Sequence, residues 1–350
     1  MHDLPSVYPG PMAAASFLPL ACGWLVDWST IGPPQPPRCS APPHGNTTGT
    51  VTHLRVPGPD GFDERCFATR YAAAPAAKPM AVLLYHHGAG GSASDCGHDK
   101  SIYGRSMWEA VARHGFALVC TEALQYSSSS WPLPGMHGGL WHLQDNVTSA
   151  TGNKCGPDYG PTAPGYDLRD IRYLHAVVAS LQRQPELYDS SRLFIHGCSM
   201  GAMFSSYSAQ CLHEAYGGAL TAWSVTGSGL KSYGDGTVLP GDPAECPGCY
   251  FPFWPGDAPA SPPLKACVFD NEDDVIRIAT GLVETSKELN RTWNQRGNRA
   301  ELILYPRGGH CGIHSWEEVF ACLDDGTGKL LGAGAQYVRP HVPENAAPSR

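Results

Sequence analysis

Short apolar runs alternate along the chain with stretches in which apolar residues recur every three or four positions. In the clearest helical stretch apolar side chains recur from Leu168 to Leu181, and Pro185 ends the pattern. Helices are also predicted over residues 103–113, 202–212 and 279–296. Buried strands are predicted by the continuous apolar runs at 80–85, 116–120, 192–196, 219–225, 266–269 and 300–305. This alternation predicts an α/β fold with a mostly parallel sheet covered by helices on both faces.

The remaining segments define the expected domain organisation. Residues 51–56 and 65–71 are predicted to form a hairpin, because Pro59-Asp60-Gly61 between them is a turn sequence. Two long segments, 126–166 and 227–264, have no periodicity, and loops of that length usually carry function. We expect one main domain at 49–325 with these loops over its active site. A surface segment rich in proline and cysteine precedes it at 1–48, and a tail follows at 326–350.

Composition excludes some classes of protein. The net charge of -8 and the pI near 6.0 argue against a nucleic-acid partner. No apolar run reaches the roughly 18 residues that a membrane span needs. Thirteen cysteines indicate an oxidising compartment. Three N-x-S/T sequons, at Asn46, Asn146 and Asn290, are candidate glycosylation sites that agree with secretion. Residues 12–26 are moderately apolar but lack the basic flank of a signal peptide; a processed or altered N-terminus would explain this.

The most informative motif is Gly197-Cys198-Ser199-Met200-Gly201, a G-x-S-x-G sequence between a predicted strand and a predicted helix. In that context the serine occupies a sharp turn and acts as a nucleophile once a base accepts its proton. His310, which follows the last predicted strand, is the expected base. The acid that orients it should follow the preceding strand, where Asp270, Glu272, Asp273 and Asp274 are available. We choose Asp273, because the apolar pair Val275-Ile276 after it can anchor the loop.

Backbone amides are expected to stabilise the oxyanion of the reaction. One belongs to Met200, directly after the nucleophile. The other should come from the loop after the strand at 80–85, where His86-His87-Gly88-Ala89-Gly90-Gly91 resembles an H-G-G turn. Ala89 is the preferred donor and Gly88 the alternative. Aromatic residues of the two long loops are candidates for the substrate pocket, although they are equally suited to anchoring loops: Trp131, Trp141, His142, Phe251, Phe253 and Trp254.

Resemblance to known families adds to this interpretation. The stretch from Leu168 to Phe204 resembles the secreted polyhydroxybutyrate-depolymerase and feruloyl-esterase-like group of α/β hydrolases. The loops at His87-Gly88, Asp273 and Gly309-His310 are similar too. Separately, Cys198-Ser199 and His310-Cys311 resemble the pattern of the tannase and fungal feruloyl-esterase family, in which the two cysteines bridge under the triad. The chain departs from that family because it is too short to include the family's large lid domain. The resemblance implies hydrolysis of an extracellular polymer or a conjugated ester.

The cysteines carry three further expectations. A Cys198–Cys311 disulfide is expected, because a bonded serine and histidine bring their neighbours within bridging distance. Since the cysteine count is odd, Cys120 and Cys267, inside apolar strands, are candidates for buried free thiols. Cys246-x-x-Cys249 offers half a zinc site, with His310, Cys311 and His314 as further ligands. No second C-x-x-C exists, so a structural disulfide is favoured and no metal is expected.

Together these features predict a secreted α/β-hydrolase that cleaves carboxylic esters through an acyl-enzyme. Its partner would be a polymeric or small-molecule ester, such as a polyester or a feruloyl or acetyl conjugate, and no cofactor is needed. The alternatives are a serine peptidase of the same fold and a non-catalytic hydrolase-fold protein used for binding. Non-catalytic relatives usually lose a triad member, whereas this chain keeps all three.

Overall fold

The computed structural model contains the apolar strands predicted from the sequence and the helices predicted near 103–113, 168–181 and 202–212. The helix at 316–323 was not predicted, and only residues 286, 290 and 294 of the helix predicted at 279–296 are described. The described residues are 35–40, 47–58, 61–72, 79–96, 106–127, 137–141, 169–216, 219–227, 264–275 and 298–323, with the single positions 286, 290 and 294. Ten strands lie among these residues: β1 (Thr47–Gly58), β2 (Gly61–Ala72), β3 (Met80–His86), β4 (Phe116–Thr121), β5 (Leu124–Ser127), β6 (His137–Leu140), β7 (Tyr188–Cys198), β8 (Leu220–Thr226), β9 (Lys265–Asn271) and β10 (Arg299–Tyr305). The helices with defined bounds are α1 (Met107–Arg113), α2 (Arg169–Gln182), α3 (Met200–Ala215) and α4 (Trp316–Leu323).

Eight of the strands form one sheet in the order β1-β2-β4-β3-β7-β8-β9-β10. β2 runs antiparallel to β1 and β4, and every other neighbouring pair is parallel. Numbered along the chain within this sheet, the strands follow the order 1-2-4-3-5-6-7-8 of the α/β-hydrolase fold. The fold predicted from the sequence is therefore confirmed.

The buried core consists of two layers, one on each face of the sheet. α2 and α3 cover one face, where Leu174, Phe204 and Leu212 meet the strands. α1 and α4 cover the other, where Trp108 and Phe320 pack on Phe116 and its neighbours. β3, β4 and β9 are buried along their whole length, as strands with helices on both faces must be.

The order of the strands determines where a site can form. From β3 the chain crosses first to β4 on one side and then to β7 on the other. In open parallel sheets such a reversal leaves a crevice at the carboxyl ends of the two strands, and ligands bind there. Here those ends carry His86-His87 and Cys198-Ser199.

Two expectations about these elements are corrected. The segment 126–166 is not wholly irregular, because β5 pairs with β6 in an antiparallel hairpin. Cys120 and Cys267 are not free thiols: Cys120 is bonded to Cys96 and Cys267 to Cys322. Each lies on a buried strand, but its partner comes from an element that packs over that strand, and spacing along the chain does not reveal such a contact.

The N-terminal segment is partly described, and residues 35–40 attach to the sheet. Cys39 is bonded to Cys66 of β2, and Gln35 forms a bridge with Gln125 of β5. Of the loop predicted at 227–264 only the two end residues are described, and the tail at 326–350 lies outside the described residues. Among the described residues, no helix is long and apolar enough to cross a membrane.

Candidate active site

Ser199 occupies the strained turn that its motif predicts. It lies between the end of β7 and the first residue of α3, with φ 55° and ψ -122°. A positive φ is uncommon for a residue with a side chain and marks stored strain. The flanking glycines are required by close approach: a Cβ at Gly197 would overlap Ser205 and Gly201, and one at Gly201 would overlap the carbonyls of His86 and His87. Ser199 remains 8% exposed.

His310 is held by Asp274, not by Asp273. The Nδ1 of His310 lies 2.9 Å from Oδ2 of Asp274, whose side chain is fully buried, whereas the side chain of His310 is 26% exposed. Nδ1 therefore donates, which leaves Nε2 as the nitrogen available to a nucleophile. The sequence-based choice of Asp273 is wrong in this structure. Its carboxylate instead accepts the N–H groups of Gly308 and Gly309 at 2.9 and 2.8 Å.

The geometry of the turn after β9 explains the error. The N–H of Asp274 donates to the carbonyl of Asn271 at 3.2 Å, which closes a tight turn. Asp273 is exposed at its tip, while Asp274 points into the protein. Of the pair chosen as an anchor for this loop, Val275 is 72% exposed, and Ile276 lies outside the described residues. The other two acids considered, the buried Asp270 and the exposed Glu272, have no bond to His310.

Two other histidines near the serine are unsuited to act as the base. Burial lowers the pKa of both His86 and His196 to about 3, so both remain neutral. His86 is hydrogen-bonded to Thr121 and His196 to Ser224, each at 2.7 Å. They are satisfied core residues of β3 and β7.

The predicted oxyanion donors lie beside the serine. Met200 is the first residue of α3, where backbone N–H groups have no partner within the helix. The loop with Gly88 and Ala89 passes over Ser199, since a Cβ on Gly88 would lie 3.4 Å from the Ser199 Cβ. The Gly88 carbonyl accepts bonds from the Gly91 N–H and the His87 ring at 3.1 and 2.7 Å. This fixes the peptide that carries the Ala89 N–H. That these two amides bind the oxyanion remains a prediction.

The hairpin that the sequence did not predict supports this loop. Gly90 donates to the carbonyl of Gly139 on β6, and Gly139 donates to Gly91, each at 2.9 Å. Trp141, directly after β6, donates its indole N–H to the carbonyl of His87 at 2.8 Å and stacks on Phe204. Trp141 is fully buried. It therefore anchors the loop and does not line an open pocket.

Glu122, at the end of β4, lies behind the same loop. Its carboxylate accepts the N–H groups of Ala93 and of Arg38 and the side-chain amide of Gln125. The residue is 1% exposed, and burial raises its pKa to about 7 despite these donors and the nearby Arg65. One acid thus joins the N-terminal segment to the loop, a role that no pattern in the sequence predicts.

The raised pKa of Glu122 predicts that the free energy of unfolding falls as the pH rises. Because its pKa is higher in the folded chain than in the unfolded one, folding favours the protonated form. Stability is then lost as pH rises from about 4.5 to about 7, by up to about 3 kcal/mol. Denaturant unfolding between pH 5 and pH 8 should show this decline in the wild type relative to Glu122→Gln, which cannot ionise. Glu64→Gln, at an exposed position, is the matched control. Parallel curves for wild type and Glu122→Gln would contradict the prediction.

The bond between Cys198 and Cys311 is confirmed in the structure, with the two Cα atoms 5.6 Å apart. It joins the residue before the nucleophile to the residue after the base. A link across a separation of 113 residues stabilises a chain by roughly 4–5 kcal/mol in the chain-entropy model. Cys311 has φ 60°, and a Cβ on Gly227 would overlap its sulfur. The histidine loop is therefore packed closely against the end of β8.

Peptide mapping without reduction should yield a species that contains both Cys198 and Cys311. The Cys39–Cys66 link serves as an internal control, because it lies far from the serine in the sequence. Alkylation of Cys311 in unreduced, fully active protein is the result that would rule out the bond.

The other predicted site residues have mixed outcomes. The bonded Cys311 is not free to bind zinc, and His314 is hydrogen-bonded to the carbonyl of Arg307. Within the described residues no cluster of three or more potential metal ligands occurs. Asn290 is helical and half-buried. The remaining candidates lie outside the described residues: Asn46, Trp131, His142, Asn146, Cys246, Cys249, Phe251, Phe253 and Trp254.

Solved structures that are similar to this chain include several esterases and hydrolases. An esterase from the archaeon Pyrobaculum calidifontis is 14% identical and aligns over 75% of this chain and 77% of its own, with TM-score 0.44. A putative dienelactone hydrolase from Klebsiella pneumoniae is 15% identical over 79% and 98%, with TM-score 0.44. A fungal esterase from Rhizomucor miehei is 14% identical over 91% and 95%, with TM-score 0.45. No protein-family model and no curated protein matches the chain.

Proposed function

We propose that this protein is a serine carboxylic ester hydrolase that acts through an acyl-enzyme. The observation that carries the proposal is the union of three features at one edge of the sheet. Ser199 occupies a strained turn, a disulfide ties that turn to the histidine loop, and a buried carboxylate holds Nδ1 of His310. A serine needs such a base, and the base needs such an acid.

In this mechanism the Ser199 Oγ attacks the ester carbonyl while Nε2 of His310 accepts its proton. Asp274 keeps the ring in the Nδ1–H tautomer and stabilises the imidazolium without taking the proton. The imidazolium then protonates the departing alkoxide, which leaves as an alcohol. A water molecule, deprotonated by the same nitrogen, attacks the acyl-serine and releases the acid.

The N–H groups of Met200 and Ala89 are the proposed donors that stabilise the negative charge developing on the carbonyl oxygen. Both are backbone groups, one in the first turn of α3 and one in a peptide whose carbonyl accepts two hydrogen bonds, so they need little reorganisation during the reaction. Losing one preorganised donor of this kind typically raises the barrier by roughly 3–4 kcal/mol.

The proposed substrate is a polyester or a conjugated ester of the feruloyl or acetyl type, encountered outside the cell. Motif resemblance supports the substrate class. Secretion is supported by the eight cysteines that pair in four disulfides within the described residues, because such bonds persist in oxidising compartments. The net charge of -8 disfavours a nucleic-acid partner.

A substrate panel tests the proposal. It contains p-nitrophenyl acetate, butyrate and octanoate, methyl ferulate, emulsified polyhydroxybutyrate and a set of peptide p-nitroanilides, each also tested with Ser199→Ala. Ester cleavage that depends on Ser199 supports the proposal, and the preferred member identifies the acyl class. Cleavage confined to the anilides would instead identify a peptidase. Absence of turnover on every substrate, together with no labelling of Ser199 by a fluorophosphonate, would indicate a binding protein.

A further inference from the structure

Asn271, the last residue of β9, holds both ends of the turn that presents His310. Its side-chain amide nitrogen donates to the carbonyl of Gly309 at 3.0 Å and to the carbonyl of Gly312 at 2.8 Å. These two carbonyls flank His310 and Cys311 in the sequence. We propose that Asn271 is a positioning residue that sets the orientation of the His310 ring, an inference that rests on the proposed function.

The histidine turn needs such an anchor because its own backbone is strained. Gly309 and Cys311, on either side of His310, both have positive φ, at 65° and 60°. Glycine adopts this region freely, whereas Cys311 carries a side chain and is strained there, so its conformation persists only where its surroundings impose it. The disulfide to Cys198 fixes the turn at Cys311, and Asp273 binds the N–H groups that precede the histidine. Asn271 supplies two more points, one before and one after the histidine.

The chemistry of the contact requires an asparagine. Both partners are carbonyl oxygens, so the group that meets them must offer two N–H donors. An aspartate of the same shape would place carboxylate oxygens against two carbonyls. The side chain is 1% exposed, and Oδ1 has no hydrogen-bond partner within the described part of the chain. Leaving a buried acceptor unsatisfied costs stability, so the residue is better explained by the turn that it holds than by its own stability.

Asp273 holds the other side of the same loop and provides a contrast. It accepts the N–H groups of Gly308 and Gly309, but it is exposed, so water can replace its oxygens. Asn271 is buried, where water cannot enter to replace the amide. We therefore expect substitution of Asn271 to lower kcat more than substitution of Asp273, although both residues contact the same loop.

Asn271→Ala and Asn271→Asp are expected to lower kcat about 10- to 100-fold, because a displacement of about 1 Å in a catalytic group has an effect of this size. KM should change little, since neither contact involves the substrate. Fluorophosphonate titration counts active sites, so a smaller folded fraction is not mistaken for a lower kcat. Asp273→Asn is the matched control and should lose much less.

A double-mutant cycle separates positioning from a purely structural role. If Asn271 acts through His310, Asn271→Ala should lower kcat in the wild type but have no further effect on the residual activity of His310→Ala. Equal losses in both backgrounds would overturn the inference. So would wild-type kcat in both Asn271 variants, or failure of both to fold. Ester hydrolysis that persists in Ser199→Ala would instead reject the proposed function itself.

Discussion

Replacing Ser199 by alanine is expected to lower kcat on every ester of the panel by about 10⁶-fold, to the level of the reaction without the triad. The reason is that Oγ is the only atom of the protein that forms a bond to the acyl group in the proposed mechanism. Without it, the base and the acid have nothing to activate. Initial rates with p-nitrophenyl butyrate, on protein purified separately from any wild-type preparation, measure the loss.

The same substitution should leave the fold intact. Ser199 is buried in a turn whose shape depends on Gly197 and Gly201, and alanine removes only the hydroxyl. Circular dichroism and the melting temperature of Ser199→Ala should therefore match those of the wild type. Turnover close to the wild-type rate in the variant would refute the assignment of the nucleophile and, with it, the proposed function.

Asp274→Asn is expected to lower kcat by about 10⁴-fold, the second largest effect. An amide at this position can donate its N–H to Nδ1 of His310. That contact favours the tautomer with the proton on Nε2, the nitrogen that must accept the serine proton. Because Asp274 is fully buried, water cannot restore the original contact. Acylation and deacylation both need Nε2 of His310 as a base, so the rate of a pre-steady-state burst should fall together with kcat.

Asp273→Asn and Asp270→Asn are the controls for this assignment. Asn at 273 keeps a carbonyl oxygen that can accept the same two N–H groups, so kcat should fall less than about 10-fold. Asp270 is buried within β9 and does not contact His310 through any bond in the structure. If the Asp273 variant lost more activity than the Asp274 variant, the acid of the triad would have to be reassigned.

Much of the fold follows from local features of the sequence. Apolar runs such as that of β3 and helical spacing such as that of α2 identify their elements, since each reflects burial by a single segment. Ser199 could be recognised for the same reason, because its turn is built by the five consecutive residues 197–201. His310 could be placed after the last strand because the order of elements in this fold fixes its position.

The choice among neighbouring acids was not a local question. Four acidic residues lie in one short segment, and only one of them faces the histidine. The hydrogen bond from the Asp274 N–H to the Asn271 carbonyl decides which, because it turns Asp273 outward. Asp273 and Asp274 are adjacent, so the sequence pattern around them does not distinguish one from the other. Only the packing of the β9 loop against the β10 loop decided it.

The cysteine pairs and the residues that support the site also divide into those predicted from the sequence and those decided by tertiary packing. The sequence by itself predicted that Cys198 and Cys311 would meet, because a nucleophile at Ser199 and a base at His310 would bring their neighbours together. It could not pair Cys120 with Cys96 or Cys267 with Cys322, since those bonds join elements that meet only through tertiary packing. Glu122, Asn271 and Trp141 acquire their roles in the same way. Each contacts segments distant in the chain, so its role is decided by the tertiary structure, whereas the strands, the helices and the serine turn are decided by neighbouring residues.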